Sequence, residues 1–235
     1  MATKTGIDQE ALIDMFSSAG AKQAEALREA VSTATLRALQ GRELTLTNIR
    51  SVLKTVTQAA STGAAQNTGR PADVEALLSN AFEGMDAALL QTVEANRRAL
   101  QQFVDQGLNL QEGPMQGALA NLEKLEDTFF ATVSKAAQAT GGPLQGPWTQ
   151  VLEAMKLKGS HTGAQAATTV EELMAQTQSA LRDGRAMSMR TGQALLDSYA
   201  ALLSGVLIGM SQGLQQGGKP EADSRSSASS SRSKR

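Results

Sequence analysis

The sequence predicts an all-α protein, an elongated antiparallel helical bundle of coiled-coil-like hairpins with a disordered C-terminal tail. Apolar residues recur at alternating steps of three and four along most of the chain, and no segment shows the alternation of a strand. Aromatic residues make up only 3% of the sequence, so each helix offers a shallow apolar stripe. Such stripes are typical of long paired helices.

The first predicted element is an N-terminal helical hairpin over residues 1–60. Its first helix spans about Ile7 to Gln40, and Gly41 then breaks the pattern. Thr45 or Thr47 can cap the second helix, because a threonine hydroxyl accepts a hydrogen bond from a free backbone N–H of the first turn. The apolar and small residues of the first helix form one seam: Ile13, Phe16, Gly20, Ala24, Leu27, Val31, Ala34 and Ala38.

A linker is predicted over residues 61–72, and a central helical hairpin over residues 73–140. The linker STGAAQNTGRPA has the Gly, Ser, Thr, Asn and Pro content of a flexible connection. Asp73 is the predicted N-cap of the hairpin, Gly113 ends its first helix, and Pro114 suits the first turn of its second helix. The buried stripe of that second helix is predicted to be Met115, Leu119, Leu122, Phe129, Val133 and Ala136.

Residues 141–216 are predicted to form a hinge and a long C-terminal amphipathic helix. A short helix from Trp148 to Lys158 follows the hinge GGPLQGPW, and the polar stretch GSHTGAQ leads into a helix from about Thr168 to Gln216. Residues 217–235 are rich in Ser, Arg and Lys and lack apolar periodicity, so they are predicted to be disordered.

The side chains suited to catalysis are few. The chain has no cysteine and a single histidine, His161, which excludes a thiolate nucleophile and a histidine pair for a metal. The acidic residues Glu123, Glu126 and Asp127 lie on the polar face of their helix, as a solvated surface would. We therefore predict a protein that is not an enzyme and uses no cofactor, metal or small-molecule substrate.

A ladder of small residues marks the end of the last predicted helix. Glycine in a helix costs about 1 kcal/mol relative to alanine, so repeated glycines on one face indicate close approach of another surface. This run is too short to span a bilayer, which needs about 20 apolar residues. Packing on a helix and docking on a lipid-like surface both remain open. The residues of the ladder and of the apolar tip beside it are Ala201, Leu202, Leu203, Gly205, Val206, Leu207, Ile208, Gly209, Met210 and Gly213.

The chain resembles the phasins, helical proteins that coat polyhydroxyalkanoate granules in bacteria. The resemblance is carried by long Ala/Gln/Thr-rich amphipathic helices, the lack of cysteine, the few aromatics and the tail SRSSASSSRSKR. The segments ELTLTNIRSVLKTVTQAAS and SYAALLSGVLIGMSQGL are also similar to uncharacterised helical proteins of proteobacteria. The phasin resemblance implies a cytoplasmic, non-enzymatic protein that coats a hydrophobic granule or a membrane surface through the apolar tip.

An oligomeric helical scaffold or adaptor is the alternative prediction. Its subunits would be joined by the glycine ladder and by a seam of Ile13, Phe16, Leu27 and Val31, and a homo-oligomer is expected. The tail residues Arg225, Arg232, Lys234 and Arg235 can attract nucleic acid or anionic lipid weakly, in a salt-sensitive way. No aromatic residue lies among them to stack on a base, so a solvating or tethering role is favoured.

Overall fold

A computed structural model describes residues 7–19, 23–40, 45–67, 71–106, 110 and 114–182, and these residues form helices joined by short turns, without a strand. The predicted all-α bundle is confirmed. A 3₁₀ turn, Gly142–Leu144, precedes the helix that begins at Gln145. The helices of this part of the chain are α1 (Gln9–Ser18), α2 (Ala24–Gln40), α3 (Leu46–Gln66), α4 (Pro71–Asp105), α5 (Pro114–Glu123), α6 (Leu125–Thr140), α7 (Gln145–Lys158) and α8 (His161–Arg182). The predicted disordered tail, residues 217–235, lies outside the described residues.

Several helix ends follow from the local sequence. The carboxylate of Asp8 accepts a hydrogen bond from the backbone N–H of Ala11 at 3.0 Å and starts α1. Of the two predicted caps for α3, the structure uses Thr45, whose hydroxyl accepts from the N–H of Asn48 at 3.2 Å. Gly141, with φ of 60°, ends α6. These residues satisfy backbone groups that a helix leaves unpaired at its ends.

The predicted helix from Ile7 to Gln40 is divided in two, because α1 ends at Ser18 and α2 begins at Ala24. The side-chain amide of Asn67 donates to the carbonyl oxygens of Phe16 at 3.1 Å and Ala19 at 3.0 Å. The last carbonyl groups of a helix lack partners within it, so this amide stabilises the end of α1. The break therefore depends on a residue far along the chain.

The predicted linker over residues 61–72 is wrong for most of its length. α3 continues to Gln66, and α4 begins at Pro71, so that Asp73 lies in its first turn instead of capping it. Ser61, Gly63 and Ala64 are buried, because α1 lies against Gly63 and Trp148 lies against Ser61. A Cβ on Gly63 would overlap the side chain of Phe16. The small residues that suggested a flexible connection serve close packing of two helices.

The helices of the two predicted hairpins contribute to one shared core. α3 packs against α1 and α6, whereas α4 packs chiefly along α2 and α8. The rings of Phe82 in α4 and Phe129 in α6 stack with their centroids 4.5 Å apart. The predicted buried stripe from Met115 to Ala136 is confirmed, although Lys124 divides the predicted helix into α5 and α6.

The face that α8 turns inward is made of small residues. Its buried residues are Thr162, Gly163, Ala166, Thr169, Leu173 and Thr177. Ala166 and Leu173 are the buried apolar side chains among those described in this helix. The hydroxyl of Thr177 donates to the carbonyl oxygen of Leu173 at 2.8 Å, so a threonine can lie in the interface without an unpaired donor. None of the described helices is long and apolar enough to cross a bilayer.

We expect Gly84→Ala to destabilise the bundle. A Cβ at this position would lie 2.6 Å from the carbonyl oxygen of Arg28 and 2.8 Å from Cβ of Val31, so α2 and α4 must separate. The free energy of unfolding in urea should fall by about 1–3 kcal/mol. Gly117→Ala is the matched control, because no atom lies within 4 Å of its Cβ position and alanine favours the helix. Equal effects of the two substitutions would contradict this account of the α2–α4 contact.

Candidate functional site

The N-terminus of α8 is held by a glutamate from α6. Glu126 Oε1 accepts hydrogen bonds from the hydroxyl of Ser160 at 2.6 Å and from its backbone N–H at 3.1 Å. The same hydroxyl accepts from the N–H of Gly163 at 2.9 Å, so Ser160 is the N-cap of α8. A Cβ on Gly163 would overlap the Glu126 carboxylate. The expectation that Glu126 is only a solvated surface residue is therefore wrong.

A second carboxylate, Asp86 of α4, binds the same helix end from the interior. Asp86 is 5% exposed, and its two oxygens accept from the backbone N–H groups of His161 and Thr162, each at 3.0 Å. The hydroxyl of Thr162 donates back to the carbonyl oxygen of Asp86 at 2.9 Å. A negative charge at a helix N-terminus is stabilised by the free N–H groups and by the helix dipole. The two carboxylates therefore fix where α8 begins.

Sequence reasoning missed this arrangement. The stretch GSHTGAQ was predicted to be a polar loop, but α8 begins at His161 and Thr162 is fully buried. The side chain of His161 is exposed. The signal available in the sequence was Asp86 itself, a charged residue inside the apolar stripe between Met85 and Ala88. A buried charge of this kind needs hydrogen-bonding partners from another element.

A cleft of about 790 Å³ opens beside this junction, between α2, α4 and the turn from α7 to α8. Apolar side chains line part of it, including Leu36, Phe82, Leu90 and Met155. Charged groups of both signs surround them. Arg28 pairs with Glu25 at 3.5 Å and with Glu83 at 3.8 Å. The other charged or titratable residues of the cleft are Glu29, Arg37, Asp86, Lys158 and His161.

The chemistry of the cleft suits binding. Both oxygens of Asp86 are engaged by backbone N–H groups, so this carboxylate is not free to act as a base. Among the residues that the structure describes, no group of histidine and carboxylate side chains could hold a metal ion. Gln91 Oε1 is buried in the wall of the cleft without a hydrogen-bond partner in the described bundle. The cleft thus offers apolar surface beside charged side chains.

One turn beyond the cleft, the carboxylate of Glu94 in α4 binds two arginines. Its carboxylate accepts from Arg97 Nε at 2.8 Å and Nη2 at 2.9 Å, and from Arg98 Nε at 2.8 Å. The hydrogen bonds from Arg97, more than those from Arg98, lower the pKa of Glu94 to about 2. The carboxylate of Glu94 therefore faces two guanidinium groups, and the charge of Glu172 in α8 also acts on Arg97.

The predicted site residues fall into three groups. The ladder and apolar tip, Ala201 to Gly213, and the basic tail, Arg225 to Arg235, lie outside the described residues. The predicted subunit seam lies inside the bundle: Phe16, Leu27 and Val31 are buried in the core of a single chain and Ile13 is half-buried. That seam is wrong, because its side chains are already covered. In the described part of the chain, Leu157 is the large apolar side chain left exposed, at 91%.

We expect Asp86→Ala to destabilise the protein, because it leaves the N–H groups of His161 and Thr162 unpaired. The expected loss in the free energy of unfolding is about 1–3 kcal/mol, measured in urea. Glu153→Ala serves as the control, since Glu153 is exposed on α7, and should change stability by less than about 0.5 kcal/mol. If Asp86→Ala matched this control, the carboxylate would have no role in fixing α8.

The Glu94 cluster predicts a pH dependence. The folded pKa of about 2 lies below the ordinary value of 4.5, so the stability contributed by the Glu94 carboxylate is present above pH 4.5 and is lost as the pH falls toward 2. The free energies of unfolding of the parent and of Glu94→Gln should therefore differ most near neutral pH. This difference should become small as the pH approaches 2. A difference that stayed constant over this range would exclude the carboxylate as its cause.

The comparisons with known proteins bear on the family alone. No curated protein and no solved structure matches the chain. The profile of a family described as "Family of unknown function (DUF6781)" matches residues 2–216. This match spans the bundle and the apolar tip and ends before the Ser-rich tail. The chain therefore belongs to the DUF6781 family, a family of unknown function.

Proposed function

We propose that this is a non-enzymatic helical protein that binds a hydrophobic granule or a lipid surface through the apolar segment Leu202–Met210. The observation that carries the proposal is that the described bundle buries its apolar stripes. Its apolar stripes lie in one core, and Leu157 is the large apolar side chain exposed on it. Because the bundle uses its stripes internally, the apolar segment after α8 is the better candidate for surface contact.

The segment has the composition needed for such contact. It places Leu202, Leu203, Val206, Leu207 and Ile208 within seven positions. Each such side chain gains about 1.5–3 kcal/mol on full burial in an apolar phase, which is an upper estimate for a partly inserted segment. A run of this length would lie in the interface of a membrane or on a polymer surface, because a bilayer span needs about 20 residues.

Two further features agree with this proposal. The resemblance to the phasins favours a polyhydroxyalkanoate granule as the surface. The tail residues Arg225, Arg232, Lys234 and Arg235 would add attraction to an anionic lipid surface, at about 1 kcal/mol for each charge near it. For the scaffold alternative, the glycine ladder is the remaining candidate for a contact between subunits, since the N-terminal seam is buried in the core.

Flotation tests the proposal. We expect the full chain to co-float with polyhydroxyalkanoate granules or with liposomes, and Leu207→Asp to abolish this, because a carboxylate cannot enter an apolar phase without a large desolvation penalty. Leu157→Asp is the matched control, since it makes the same change on the exposed surface of α7 and should leave flotation unaltered.

Two results would contradict the surface-binding function. One is failure of the parent chain to float with either material. The other is an equal loss of flotation with Leu157→Asp and with Leu207→Asp, which would indicate a general effect of the added charge. If the parent does not float but forms an oligomer that Gly209→Leu dissociates in light scattering, the scaffold function replaces it, because that side chain blocks close helix approach.

A further inference from the structure

α8 lies over an apolar face of α4. Asp86 binds the first turn of α8, and the charge of Glu172 acts on Arg97 further along α4, so the two helices run parallel. Val93 and Leu100 lie on the line of α4 that passes through Asp86 and Arg97, because these four positions recur at steps of seven, four and three. Both apolar side chains are fully buried. We call the line from Val93 to Leu100 the covered face of α4.

The contact that α8 makes with this face is weak in apolar terms. Ala166 and Leu173 are the buried apolar side chains among those described in α8. Thr169 is also fully buried, and its hydroxyl has no hydrogen-bond partner among the described residues. A buried hydroxyl without a partner disfavours the packed state, because water would satisfy the same group if it were exposed. Displacement of α8 from α4 therefore relieves an unfavourable term.

Displacement of α8 would also uncover a basic group beside the covered face of α4. The Nε atoms of Arg97 and Arg98 each lie 2.8 Å from a carboxylate oxygen of Glu94. In the packed bundle the charge of Glu172 also acts on Arg97, and Glu172 belongs to α8. Without α8, two guanidinium groups face one carboxylate next to an apolar strip. Basic groups beside an apolar strip are typical of a helix that lies in the interface of an anionic membrane.

We propose that an anionic lipid surface displaces α8 and takes its place on the covered face of α4. The acyl region would contact Val93 and Leu100, and the headgroups would lie near Arg97. This inference rests on the proposed function and names the surface. The apolar segment Leu202–Met210 follows α8 along the same chain, so its insertion brings α8 close to the lipid.

Cysteine labelling of the full chain tests the inference, since the chain has no cysteine of its own. Thr177→Cys places a thiol on the buried face of α8, where a maleimide reacts only if α8 leaves α4. We expect phosphatidylglycerol vesicles to accelerate this labelling about tenfold, which corresponds to about 1.4 kcal/mol. Thr57→Cys is the matched control, because Thr57 is buried in α3 and its thiol would react faster only if the whole bundle opened.

Flotation of the same samples separates this inference from the proposed function. If Thr177→Cys floats with the vesicles but reacts no faster, displacement of α8 is overturned while surface binding stands. Equal acceleration of Thr57→Cys also overturns the inference, since the lipid would then unfold the bundle. Equal acceleration by phosphatidylcholine vesicles overturns the anionic headgroup as the recognised chemistry. If the protein floats with granules but not with phosphatidylglycerol vesicles, the inference fails and the proposed function holds.

A second pair of variants keeps the test decisive if Thr177→Cys does not fold. Thr169→Val replaces the unpaired hydroxyl with a methyl group and should strengthen the contact between α8 and α4. Thr168→Val makes the same change on the exposed side of the same helix. We expect Thr169→Val to bind phosphatidylglycerol vesicles about fivefold more weakly than Thr168→Val, which corresponds to about 1 kcal/mol. Equal affinities of the two variants, measured by flotation over a range of vesicle concentrations, would overturn the inference.

Discussion

The hydrogen bonds between the buried carboxylate of Asp86 and the N-terminus of α8 determine much of the arrangement around α4. A carboxylate that is 5% exposed would be strongly destabilising without partners. Here two backbone N–H groups and the helix dipole replace its hydration, in charge-assisted hydrogen bonds at 3.0 Å. This contact sets the level at which α8 joins α4. That level in turn closes one side of the cleft.

Close backbone approach compensates for the small number of large side chains. Gly63, Gly84 and Gly163 each lie where a Cβ would overlap a neighbouring helix or its carboxylate. Some buried threonines fill similar positions and remain paired, as when the hydroxyl of Thr57 donates to the carbonyl oxygen of Leu53 at 2.8 Å, whereas the hydroxyls of Thr35 and Thr169 are buried without a hydrogen-bond partner among the described residues. The indole N–H of Trp148 likewise donates to the hydroxyl of Ser61 at 2.9 Å. The helices therefore gain van der Waals contact from the close approach of their backbones as well as from bulky apolar side chains.

Periodicity and capping chemistry made parts of several helices predictable, including a cap at Thr45 or Thr47 and the buried stripe from Met115 to Ala136. They could not show which helices pair. The stretch STGAAQ has the composition of a linker, yet it is helical because α1 lies against it. The candidate site was hidden for the same reason. Asp86 and Glu126 gain their roles from Ser160 and Thr162, residues far along the chain, and periodicity carries no information about such contacts.

The inner face of α8 buries few large apolar side chains, and this affects how the bundle opens. Ala166 and Leu173 supply the fully buried apolar contact among the described side chains of this helix, whereas α3 buries Ile49, Val52, Leu53 and Val56 in one stretch. Local opening follows the apolar area that must be exposed, so α8 should separate from the bundle at a smaller free energy than α3. Its amide hydrogens beyond the Asp86 contact should exchange with solvent before those of α3 do. In such an opening, the hydrogen bonds to Asp86 would hold the first turn of α8 in place.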